Sequence, residues 1–136
     1  MAGTATVTST RNWRIPSDGV INLFTIHWTT TSGGALSVQL ADGSGDVIQF
    51  NGTLLQAVFE PDAEAAPSDA YDLTITGNGS VDVLVGIGAN LSNSAGKRET
   101  PVTSTNSIPI ILAEALTLNG SNIGNSKSGY VYLYVR

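Results

Sequence analysis

The stretch Tyr71–Asn90 sets the terms on which this chain can fold. Tyr71, Leu73 and Ile75 alternate with Asp72, Thr74 and Thr76. That period of two gives one strand an apolar face and a polar face. Gly77-Asn-Gly-Ser80 follows, residues that tolerate the positive φ of a tight reversal. Val81, Val83 and Val85 then alternate with Asp82 and Leu84. The pattern predicts two antiparallel strands joined by a short turn, with a backbone bend at Gly86-Ile-Gly88. Leu73, Ile75, Val83 and Val85 are the expected core residues of this hairpin.

The same alternation recurs elsewhere. Val20–Thr31 carries Phe24, Ile26 and Trp28 on one face and Ile21, Leu23, Thr25 and His27 on the other. Apolar groups on both faces predict a central strand. Ala35–Ala41 alternates Leu36, Val38 and Leu40 with Ser37 and Gln39. Val47–Phe50 reads as a short strand stopped by Asn51-Gly52, and Thr53–Glu60 as a separate one closed by Pro61. Ile108–Leu112 reads as a strand in which Pro109 marks an edge or a start, and Leu116–Leu118 is short. In the last strand Tyr130, Tyr132 and Tyr134 share one face, while Val131, Leu133 and Val135 form the other, with Val131 and Leu133 expected in the core. Asp42–Asp46, Asp62–Asp69, Asn90–Asn106 and Asn119–Gly129 are turns and surface loops. No window holds a helical period beyond two turns. Short strands between Gly, Asn, Pro and Asp clusters predict an all-β fold, a single-domain antiparallel β-sandwich with barrel-like character. Residues 1–12, which lack an obvious core face, are assigned to a flexible N-terminal arm, and residues 13–136 to the sandwich.

Composition narrows the function. The 136 residues suit one domain. There is no cysteine, so disulfides, zinc–thiolate sites and thiol nucleophiles are excluded. Only 12% of residues are charged, about half the usual share, so Thr, Ser, Asn and Gly must carry the surface. A net charge of -5 without a basic patch argues against nucleic acid as a partner. No apolar run is long enough to span a bilayer as a helix. The first ten residues lack the basic and apolar regions of a signal peptide, so synthesis and use without export are expected.

The motifs that carry chemistry are weak. His27 is the only histidine, too few for a hydrolytic triad or a histidine-rich metal site. Asp42-Gly-Ser-Gly-Asp46 spaces carboxylates as calcium loops do, but lacks the twelfth-position Glu, and a hairpin turn explains it. Gly120–Ser128 departs from the phosphate-loop spacing, and no helix pattern follows it. Asp62, Glu64 and Asp69 fall in a loop that cannot hold two carboxylates at a fixed separation. The Asn-x-Ser/Thr sites at Asn51, Asn78, Asn90 and Asn119 follow from turn composition. The sequence therefore predicts no catalytic residue, metal site or cofactor. Aromatic side chains carry interface energy, which makes Trp13, with its neighbour Arg14, and Tyr130, Tyr132 and Tyr134 the candidate interface residues.

Several motifs, taken in order, carry a resemblance. Thr25-Ile-His-Trp28 follows a Ser-Asp-Gly-Val opening, and Leu55-Gln-Ala-Val-Phe-Glu-Pro61 leads to Tyr71-Asp-Leu-Thr-Ile-Thr76. Val81-Asp-Val-Leu84 precedes Gly88-Ala-Asn-Leu-Ser92, and Leu116-Thr-Leu118 precedes Gly124-Asn-Ser-Lys-Ser-Gly129 and the terminal strand. Over most of residues 17–136 this set resembles small structural proteins of tailed-bacteriophage heads. Gly33–Asn51 departs from the family, being a fuller strand-turn-strand than expected there. The resemblance implies a capsid decoration, or cement, protein: a non-enzymatic module on the capsid exterior of the virion, made in the host cytoplasm. Its implied partners are the major capsid protein and its own copies in a homotrimer, with no nucleic acid and no membrane. The alternative expectation is a tail or baseplate module that binds host-surface glycans.

Overall fold

The structure is a computed structural model that describes residues 3–15, 19–103 and 108–136, with side chains for all of these except residues 9–15 and 19. Among the described residues ten strands follow one another: β1 (Thr4–Ile15), β2 (Gly19–Thr29), β3 (Leu36–Gln39), β4 (Ala41–Asp42), β5 (Gln49–Pro61), β6 (Asp72–Thr76), β7 (Lys97–Glu99), β8 (Ile110–Ala115), β9 (Thr117–Ser121) and β10 (Ser128–Val135). Seven form one sheet in the order β4-β1-β2-β10-β5-β7, with β8 also paired to β5. The other three form a second sheet in the order β3-β9-β6. Every strand pair is antiparallel except the short β1–β4 pairing, which is parallel. The all-β reading of the sequence holds.

The inner faces of the two sheets meet in one core. Ile26 and Trp28 of β2, Phe50, Leu54, Ala57 and Phe59 of β5, and Val131, Leu133 and Val135 of β10 line it from the large sheet. Leu36, Leu73, Ile75 and Leu118 line it from the small one. Trp28 packs against Tyr71 with ring centroids 5.9 Å apart. Gly129 makes room for that indole, because a Cβ there would press on the Trp28 ring and the Glu60 carbonyl. As the alternation in Val20–Thr31 predicts, β2 is central, flanked by β1 and β10.

Burial pushes the Tyr71 hydroxyl from its ordinary 10.0 up to about 12. The folded state thus holds this proton more tightly than the unfolded chain does. The stabilisation is complete below pH 10 and is lost as pH rises towards 12. Tyr71→Phe should flatten this part of the stability–pH curve, measured by denaturant unfolding between pH 9 and 12.

Four sequence expectations need correction. First, the segment assigned to an arm, residues 1–12, has a core face within its described part. From Thr4 onward the chain is β1, paired along its length with β2 through a bulge at Ser9/Arg11. Ala5 and Val7 are buried, so removing residues 2–10 would take away part of a core strand. Second, Val81–Val85 is not a strand. It meets β6 at a single bridge, Thr76↔Asp82. The Asp82 carboxylate then draws the chain into a turn: Oδ1 accepts from the Ile75 N–H at 3.0 Å and the Leu84 N–H at 3.1 Å, and Oδ2 from the Gly86 N–H at 3.0 Å. Val83 and Leu84, adjacent in sequence, are both buried, which strand alternation forbids, while Val85 is 44% exposed at φ 48°.

Third, the expected break at Asn51-Gly52 is absent: Gln49–Phe50 and Thr53–Glu60 belong to one strand, β5, while Val47 makes only an isolated bridge to Ala41. Gly52 adopts φ 128° and lets β5 run on past Asn51. A Cβ at Gly52 would collide with the Arg136 carbonyl, which accepts the Thr53 N–H at 2.8 Å. Fourth, the polar segment from Asn90 contains β7, which pairs with β5. Other boundaries shift: β8 begins after Pro109 and extends to Ala115, and β9 covers Thr117–Ser121.

Asp82→Ala should cost about 1–3 kcal/mol, because the Ile75 and Leu84 amides lose their acceptor in a half-buried site. Urea unfolding measures the cost. Asp82→Asn, which keeps an acceptor oxygen, should recover part of it.

Candidate interaction surface

The alternation in β10 that buries Val131, Leu133 and Val135 turns Tyr130, Tyr132 and Tyr134 to the outer face of the large sheet, where they are half-buried. Register places their neighbours. His27 of β2 and Glu60 of β5 flank Tyr130; Thr25 and Val58 flank Tyr132; Leu23 and Gln56 flank Tyr134. Arg98 of β7 stands beside Val58.

These side chains form one ordered row. The His27 and Tyr130 rings stack at 4.7 Å between centroids, and Tyr130 and Tyr132 at 6.2 Å. The Arg98 guanidinium lies 5.6 Å from the centre of the Tyr134 ring and donates to Gln56 Oε1 at 2.7 Å. Tyr132 donates its hydroxyl to Glu60 Oε2 at 3.2 Å. Burial, followed by the negative charge of Glu60, raises the Tyr132 pKa, so the hydroxyl remains a donor through the physiological range. Rings fixed by stacking and hydrogen bonds lose little further freedom when a partner covers them. The row is thus suited to protein contact: it is aromatic, with Glu60 of β5 and Arg98 of β7 beside it on the same side of β10.

Comparison with family models, curated proteins and solved structures finds no match to this chain.

The other sequence candidates separate. The side chains of Trp13 and Arg14 lie outside the described residues. At register, their backbones sit opposite Ile21 and Val20 in β2. The Asp42–Asp46 segment is a turn in which Asp42 Oδ1 accepts the Ser44 and Asp46 amides at 2.9 and 3.0 Å. Among the described residues, no three His, Cys, Asp or Glu side chains cluster as metal ligands would. Asp62 and Asp69 cap the amides of Glu64 and Asn93. In the Gly120–Ser128 loop two backbone groups are tied to Thr30: the Lys127 amide donates to Thr30 Oγ1 at 2.8 Å, and Gly124 O accepts from that hydroxyl at 2.8 Å. His27, too isolated in sequence to suggest a triad, extends the tyrosine row.

Sequence reasoning missed a groove of about 620 Å³ where β8 meets the second sheet. Gln39, Gln49, Thr76, Asn78, Glu114 and Asn119 are among its lining residues. They come from five strands and a turn, so no local spacing marks them. Gly77 seats the Glu114 carboxylate, for which a Cβ would leave no room, and Glu114 Oε2 accepts the Asn78 amide at 3.2 Å.

Proposed function

We propose that this chain is a virion structural protein of a tailed bacteriophage, a decoration protein that binds the outside of the head and works as a homotrimer. The observation that carries the reading is the row His27–Tyr130–Tyr132–Tyr134–Arg98 on one sheet face. Aromatic and arginine side chains are what protein interfaces concentrate at their energetic centres. The ordered motifs that resemble head proteins supply the identity of the partner, the major capsid protein.

The mechanism is stapling. The face lies across neighbouring capsid subunits and buries ring surface that is half-exposed in the free protein. A module that binds the assembled shell and not loose subunits stabilises the shell by mass action. No chemistry is required, and the single histidine and dispersed carboxylates are used structurally.

Adding the purified protein to undecorated heads and separating them on a density gradient tests the reading. The protein should travel with the heads in multiples of three copies per site and raise the temperature at which they open. Failure to bind heads, or binding to tails alone, would contradict it.

A further inference from the structure

We propose that the outer face of the three-stranded sheet is a binding groove for a neutral oligosaccharide. This goes beyond shell attachment and does not rest on it, because the groove and the tyrosine row use different residues.

The face is polar by register. Ser37, Asn119 and Thr74 lie in one cross-strand row, and Gln39, Thr117 and Thr76 in the next. The alternate rows, Leu36–Gly120–Leu73 and Val38–Leu118–Ile75, turn to the core. A second depression of about 120 Å³ shares Asn119 with the larger groove and extends it past Thr74 to Asp72 and Ser121. The site is therefore elongated, and its main part falls within the size range of small-molecule sites, roughly 300–1,000 Å³.

The lining selects the ligand class. Neither depression has a lysine or arginine in its lining, and each carries one carboxylate, Glu114 or Asp72. Phosphates and acidic sugars are disfavoured by that charge. Apolar ligands would strip water from amides and hydroxyls without replacing the hydrogen bonds. A neutral chain of hydroxyls fits, because the Gln39 and Gln49 side-chain amides each offer donors and an acceptor, and a carboxylate takes hydroxyl donors with charge assistance.

The floor is already organised. Asn119, on the middle strand, accepts from Ser37 Oγ at 2.9 Å and donates to Thr76 Oγ1 at 3.2 Å and to Thr117 O at 3.3 Å. The Asn78 amide holds Glu114 at the wall. Gln39 and Gln49 stand exposed at the rim.

Nuclear magnetic resonance on the isotope-labelled full chain tests this. The probes are hexasaccharides of glucose (α- and β-linked), mannose and N-acetylglucosamine, each at about 10 mM, where a millimolar site is nearly filled. At least one should move the side-chain amide signals of Gln39, Gln49 and Asn119, and a heparin hexasaccharide should not. Gln39→Ala and Glu114→Gln should each weaken binding about tenfold, the effect of one polar contact, with the melting temperature of Gln39→Ala unchanged. Silence from all four neutral probes, or shifts confined to other surfaces, would overturn the proposal. So would tighter binding of an extended Thr/Val peptide at the same signals, which would make the groove a peptide site. Loss of head binding with intact sugar binding would count against the decoration reading alone.

Discussion

Leu133→Ala should lower the melting temperature of the isolated protein by roughly 10 °C or more. Leu133 is fully buried between Phe24 of β2 and Ala57 of β5 at register, in the strand that joins those two. Truncating a buried leucine typically costs about 2–5 kcal/mol through lost transfer energy and the cavity left behind. A domain of this size has only about 5–15 kcal/mol of net stability, and each kcal/mol shifts its midpoint by several degrees. β10 is poorly placed to relax, since it pairs on both edges along most of its length. Differential scanning calorimetry measures the shift. A change of only a degree or two would mean that β10 does not anchor the core.

The strand that predicts this result is also the one most legible in the sequence. Its alternation of Tyr with Val and Leu needs no knowledge of partners, because each residue's environment follows from the pleat. The same rule misled at Val81–Val85, where alternation is present but Asp82 competes for the backbone. A carboxylate that takes three amide donors favours a turn over a ladder, and its reach to Ile75 is set by tertiary position. At the N-terminus the signal is small: Ala5 and Val7 alternate with Thr4, Thr6 and Thr8, a short apolar face that turns to the core. The tyrosine face was readable as a stripe. Its extension to His27 and Arg98 is not, because pairing of β2 with β10 brings His27 to Tyr130 from 103 positions away, and β7 brings Arg98 to Tyr134 from across β5. The oligosaccharide groove was least readable of all, being gathered from strands far apart in sequence.

Tyr132→Ala should act on binding and not on folding. Tyr132 is half-buried on the outer face, and a cross-strand aromatic pair contributes only about 0.2–1 kcal/mol to a sheet. Its hydrogen bond to Glu60 is on an exposed surface, so the melting temperature should fall by a few degrees at most. An aromatic residue at the centre of an interface is worth about 2 kcal/mol or more on truncation, which is roughly a thirtyfold loss of affinity. Arg98→Ala, at the end of the row, should weaken binding less, since a partly exposed cation over a ring is worth about 0.5–1 kcal/mol.

The most direct measurement sets the affinity of Tyr132→Ala for undecorated heads beside its melting temperature, with wild type and Leu133→Ala as references. If the tyrosine face is the attachment surface, Tyr132→Ala melts within a few degrees of wild type and binds heads about thirtyfold or more weakly. Wild-type affinity for heads, or unfolding as severe as that of Leu133→Ala, would contradict it.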